Sequence, residues 1–113
     1  MSQFRNNGKE LTAHFCFPDG FLGFQGHFPG NPVLPGVCKI QAVMCCLEAA
    51  NKKIPKLKEI ILAKFFAPVT SNEEIVFTLR QEPQNNDEAL VKASVLNQDK
   101  KIAEIHLRVA FEI

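Results

Sequence analysis

The sequence contains neither tryptophan nor tyrosine, so ten phenylalanines carry all of its aromatic bulk. An excess of one charge is missing too. Thirteen Lys and Arg against twelve Asp and Glu leave a net charge of +1, which gives no electrostatic footing for a nucleic-acid partner. No apolar run reaches the roughly 18 residues a helix needs to cross a bilayer. The N-terminal MSQFRNNGKELTAHF also lacks the apolar core of a signal peptide. A cytoplasmic location with no membrane association is therefore expected. The four cysteines, Cys16, Cys38, Cys45 and Cys46, fit no zinc spacing. Adjacent Cys45 and Cys46 point about 100° apart on a helix, which suits neither a metal pair nor a disulfide. Core packing as free thiols is expected, with no metal. Repeats, low-complexity tracts and linkers are absent as well, and residues 1–113 read as a single domain.

What is present is a soluble-protein composition, 46% hydrophobic and 22% charged, with clear periodicities. ELTAHFCF (10–17) alternates, placing Leu11, Ala13, Phe15 and Phe17 on one face of a strand. A long loop rich in glycine and proline follows, as far as Gly36. Residues 36–50 then read as a helix with only Lys39, Gln41 and Glu48 strongly polar inside it, so most of its circumference is expected to be buried. Asn51 and Pro55 close it. Strands are expected at 59–69, 73–82, 89–97 and 101–113, the last two joined by a hairpin at QDK. One buried helix among five strands implies an α+β domain whose antiparallel sheet curls around the helix. So small a sheet leaves an edge open, which favours pairing with a second copy.

The loop GHFPGNPVLPGV (26–37) holds the chemistry-bearing candidate, His27. Pro29, Pro32 and Pro35 each fix φ, so the loop is a stiff mount for an imidazole. A general base needs that stiffness, because productive geometry comes before pKa. Gly36 and Val37 open the helix, where unpaired N–H groups sit at its positive end. A base beside such donors suits removal of a proton α to a thioester carbonyl. On the residues alone, a tight crossover in which His27 merely caps the chain stays open as the other reading.

The same segment resembles the signature of the 3-hydroxyacyl-acyl-carrier-protein dehydratases of fatty-acid biosynthesis, lyases with a hot-dog fold. AKFFAPV (63–69) and VKASVLNQDKKIAEIHLRVA (91–110) are similar to the family's later strands, and the likeness spans about residues 10–112. The resemblance implies an antiparallel sheet wrapped around one helix and a homodimer with its active sites at the interface. It also implies an acyl-carrier-protein or CoA thioester as substrate, and no cofactor. By position, His27 matches the catalytic histidine and Gly36 the glycine whose N–H holds the thioester carbonyl, with Val37 beside it. Phe65 and Phe66 match positions bordering the acyl tunnel. The family's acid, a Glu or Asp fourteen residues after the histidine and contributed by the partner subunit, is replaced here by Gln41. An amide hydrogen-bonds to a departing hydroxyl but does not protonate it.

The expectation is therefore a dehydratase that converts a 3-hydroxyacyl thioester to its trans-2-enoyl product, with His27 and Gln41 as catalytic residues and activity weakened by Gln41. The alternatives are a non-catalytic acyl-thioester-binding subunit and a hot-dog acyl thioesterase. His14 and His106 fall on polar strand faces and read as solvated surface residues. Lys52, Lys53, Lys56 and Lys58 form a basic cluster, read either as a solvated helix exit or as a dock for an acidic carrier protein.

Overall fold

The structure, a computed structural model, describes residues 2–7, 10–16, 36–67, 69, 73–84 and 87–111. The elements run β1 (Ser2–Asn6), β2 (Glu10–Cys16), α1 (Gly36–Asn51), β3 (Pro55–Phe65), β4 (Glu74–Pro83), β5 (Glu88–Asn97) and β6 (Lys100–Phe111). All strand pairs are antiparallel, in one six-stranded sheet of order β1-β2-β4-β5-β6-β3. This is the α+β, hot-dog architecture expected of the sequence.

Alternation decides which face of the sheet meets the helix. Leu11, Ala13 and Phe15 of β2, Ile75, Phe77 and Leu79 of β4, Val91, Ala93 and Val95 of β5, and Ile105, Leu107 and Val109 of β6 are all buried. They form one core with Ala42, Val43, Cys46 and Leu47 of α1. Those helix positions recur at the i, i+1, i+4, i+5 spacing that puts them on a single face. Phe15 and Phe77 meet edge to face across the β2–β4 pair, with centroids 5.1 Å apart, a favoured aromatic geometry. Between β5 and β6, Asn97 pairs with Lys100. Gln98 and Asp99 therefore form the whole turn, with φ of 50° and 68°, as a two-residue type I′ hairpin requires.

Three features differ from the sequence expectation. The sheet has six strands rather than five: β1 was not anticipated because SQFRN has a single large apolar residue, Phe4, and pairs with β2 through its backbone at an edge. The strand after the helix begins at Pro55, not at residue 59. Proline is tolerated at the first position of an edge strand, where a ladder N–H is not needed. Finally, the helix is not buried all round. Gln41, Cys45, Glu48 and Ala49 are exposed, leaving one flank open.

Candidate active site

α1 begins at Gly36, directly after the proline-rich loop. Its first N–H groups have no intrahelical carbonyl to bond, so a positive helix end is presented where the sequence expectation places the thioester oxygen. Gly36 and Val37 are the first two helical residues. His27 and the rest of its loop lie outside the described residues.

Along α1 the residues divide into two stripes. Lys39, Ala42, Val43, Cys46 and Leu47 are buried against the sheet. The opposite flank, through Ile40, Gln41, Met44, Cys45 and Glu48, faces outward and meets Ile54, Pro55, Leu57 and Ile60 across an open groove of roughly 530 Å³. Gln41 thus stands on a groove wall that is otherwise mostly apolar, with Glu48 two turns along the same wall.

β3 forms the other wall, and its inner face is uncovered. Register with β6 shows which residues point inward: Leu57, Ile60, Ala63 and Phe65 pair with Val109, Leu107, Ile105 and Ala103, all of them buried. Yet Leu57 is 37% exposed, Ile60 49% and Phe65 43%. Alternation in an edge strand therefore does not report burial here, because the helix does not reach far enough to cover it. Two register shifts, at Leu57/Glu59 and Ile60/Leu62, add unpaired residues and bend the strand. Ile61, in the second of them, is also 49% exposed.

At the far end of β3, Phe65 meets the first turn of α1. The Lys39 ammonium sits 4.8 Å from the centroid of the Phe65 ring, within cation–π range. Lys39 is only 3% exposed, and burial pulls its pKa below the usual lysine value. Phe66, 58% exposed, follows the end of β3, and its N–H donates to the Ile102 carbonyl at 2.8 Å. Neither Phe65 nor Phe66 lines the groove that holds Gln41.

Two further histidines have structural partners. His14 and His106 are not free surface residues, as the sequence suggested. His14 Nδ1 lies 2.6 Å from Glu74 Oε1, and His106 Nε2 lies 2.6 Å from Glu104 Oε2. A carboxylate only accepts, so in each pair the imidazole N–H donates. Both pairs lie on the sheet face opposite the helix. Burial alone would raise the pKa of Glu104, but hydrogen bonds from Lys101, Ser94 and His106 outweigh it and hold the carboxyl below its usual range. Among the cysteines only Cys46 is fully buried. Burial and the neighbouring Cys45 push its thiol up to about 12, leaving it inert. Cys16 and Cys45 are exposed, which differs from the core packing read for the four cysteines. Lys52, Lys53, Lys56 and Lys58 are exposed, as expected. Among the described residues no cluster of His, Cys, Asp or Glu is arranged to hold a metal ion. None of the described helices is long and apolar enough to cross a membrane.

Sequence reading identified Gln41, Gly36 and Phe65 but gave Lys39 no role. Its only signal was position: three residues before Ala42 and four before Val43, it shares their buried stripe.

Comparison with known proteins follows the same line. A family model described as ApeI-like, ApeI dehydratase, matches residues 3–105. The 3-hydroxyacyl-[acyl-carrier-protein] dehydratase FabZ of Ehrlichia chaffeensis is 36% identical over 61 residues, 50% of this chain and 43% of that protein. The enzyme of the same name from Desulfotalea psychrophila is 26% identical over 115 residues, covering 92% of this chain and 75% of the relative. The chain thus spans from under half to three quarters of these relatives' lengths. Among solved structures, the dehydratase heterocomplex ApeI:P from Xenorhabdus doucetiae superposes with a TM-score of 0.74 at 19% identity, covering 90% of this chain and 88% of that one.

Proposed function

The chain belongs to the ApeI-like dehydratase family, and on that premise we propose that it eliminates water from a 3-hydroxyacyl thioester carried on an acyl carrier protein or CoA. The observation that carries the reading is the start of α1 at Gly36, immediately after the histidine loop. In sequence, the segment that holds the candidate base runs directly into this helix end, whose first N–H groups lack intrahelical carbonyl partners.

In this reading the thioester carbonyl accepts a hydrogen bond at the N-terminus of α1, which lowers the energy of the enolate that forms next. His27 takes the α proton, and the C–H electron pair moves into the enolate. Collapse of the enolate forms the α,β double bond and breaks the β C–O bond. The imidazolium returns its proton to the departing hydroxide, which leaves as water. Gln41 of a second subunit holds the β-hydroxyl by hydrogen bonding. No external electron acceptor enters this balance.

The second subunit is part of the proposal. β3 is an edge strand whose inner face exposes Leu57 and Ile60, which line the groove beside α1, and Phe65 further along. A second copy laid along β3 would bury those side chains and set Gln41 near the subunit interface. Gln41 also favours a variant of this reading, in which the partner is a different hot-dog chain that supplies a carboxylate where this one has an amide. The structural neighbour is itself named a heterocomplex.

Hydration of a crotonyl thioester, followed by loss of enoyl absorbance, tests the proposal. Wild type should turn over and His27→Ala should not. Gln41→Glu should raise the rate by up to about 10²–10⁴-fold. Equal rates for wild type and His27→Ala would overturn the assignment. Binding of the thioester without turnover would point to an acyl-binding subunit, and release of free thiol to a thioesterase.

A further inference from the structure

Lys39 occupies a position that opposes its own charge in three ways. It lies in the first turn of α1, where the helix end is already positive and where no acidic residue is present to offset it. It is 97% buried (3% exposed), although a lysine stem is long enough to carry its head to water in most settings. Among the described residues, finally, no carboxylate or carbonyl pairs with its ammonium, whose recorded contact is the face of Phe65. A cation held under these conditions is costly.

The direction of the side chain indicates what could offset that cost. Side chains on a helix lean towards its N-terminus, and Lys39 is three residues, roughly 4.5 Å of rise, from Gly36. A stem with that lean carries its head towards the helix end that Gly36 opens. Phe65, 43% exposed, meets the ammonium with its ring. A helix N-terminus with a buried, unneutralised lysine beside it is suited to a negatively charged oxygen.

We propose that Lys39 is a second electrostatic element of the oxyanion site: its buried ammonium stabilises the enolate oxygen of the acyl thioester together with the N–H groups at the start of α1. This rests on the dehydratase reading above. Covalent bonds to Lys39 neither form nor break, and its role is charge alone.

The test is steady-state hydration of crotonyl pantetheine by the full chain and three variants. Lys39→Met keeps the stem volume and removes the charge. It should lower kcat on the order of ten- to a hundredfold, somewhat less than loss of a directly bonded oxyanion donor, with KM within about twofold of wild type. Lys39→Arg keeps the charge and should hold kcat within about tenfold. Lys39→Gln, neutral and shorter, decides the question if Lys39→Met does not fold, and should match the behaviour expected of it. A kcat for the neutral variants within twofold of wild type, a loss confined to KM, or Lys39→Arg as slow as the neutral variants would overturn the proposal. An inactive wild type would instead overturn the dehydratase reading and remove this one with it.

Discussion

Asn51 and Gln81 join the end of the helix to the sheet. The Asn51 Nδ2 group donates to the Leu47 carbonyl at 2.8 Å and to Gln81 Oε1 at 3.1 Å. One side chain thus satisfies a terminal helix carbonyl and anchors α1 to β4. The next residue, Lys52, adopts φ of 55° and donates its N–H to the Glu48 carbonyl at 2.9 Å, ending the helix with a left-handed residue. Asn51→Ala removes both side-chain bonds and leaves the Gln81 carbonyl without this donor. It should cost about 1–2 kcal/mol, read as a lower urea midpoint with an unchanged m-value.

Phe77 is fully buried at the centre of the core. Phe77→Ala should lower stability by about 3–5 kcal/mol, through lost burial and the cavity left behind. Phe77→Leu should cost clearly less, and chemical denaturation of both variants would check the order.

Glu104 ties stability to acid. Its carboxyl titrates below its unfolded value because Lys101, Ser94 and His106 all donate to it. The stabilisation is therefore complete above the ordinary glutamate pKa, near 4.5. It fades as pH falls through the depressed native value. Glu104→Gln should lose on the order of 1–2 kcal/mol at neutral pH. Its deficit against wild type should shrink as pH falls below 4.5, measured by thermal melts across that range.

Lys39 costs stability at neutral pH where Glu104 adds it, although both make stability rise with pH. Its native pKa lies below the usual 10.5, so between the two values the unfolded chain binds more protons and wild-type stability rises with pH. Lys39→Met should be more stable than wild type by about 1 kcal/mol or more at neutral pH, even after loss of the Phe65 contact. That advantage should narrow as pH climbs towards 10.5. A stabilised, slower variant is the pattern expected when a strained charge serves activity.

The uncovered face of β3 makes a prediction about assembly. Ile60→Lys places a charge at the middle of the apolar strip, on a residue already 49% exposed. The isolated fold should tolerate it within about 0.5 kcal/mol. Sedimentation should then show wild type as a dimer and Ile60→Lys as a monomer, with thioester turnover lost alongside.

The architecture was legible in the sequence wherever alternation reported burial. The face read for β2 is the face that meets the helix, since one side of an antiparallel sheet was packed and the other wet. Legibility failed at both edges. β1 is held by backbone pairing that leaves little trace in side chains. β3 carries an apolar pattern that its own chain does not bury. Within the site, Gln41 was recognisable from its spacing to His27 and does lie on an open wall. Lys39 went unread because a lysine among apolar helix residues is ordinarily taken to reach solvent. Its burial and the Phe65 ring against its ammonium show otherwise.

The two-residue connection through Gln98 and Asp99 bears on the order in which the molecule assembles. β4, β5 and β6 form a meander of neighbours in sequence, whereas β2 must find β4 and β3 must find β6 across long stretches of chain. Contacts between sequence neighbours close with little loss of chain entropy. The β5–β6 ribbon is therefore the expected nucleus, the helix docking onto a trough already partly formed and the outer strands arriving last. Pulse-labelled hydrogen exchange during refolding should protect the amides of Val95 and Ile105 before those of Leu11 and Ile60, and early protection at Leu11 would reverse that sequence of events.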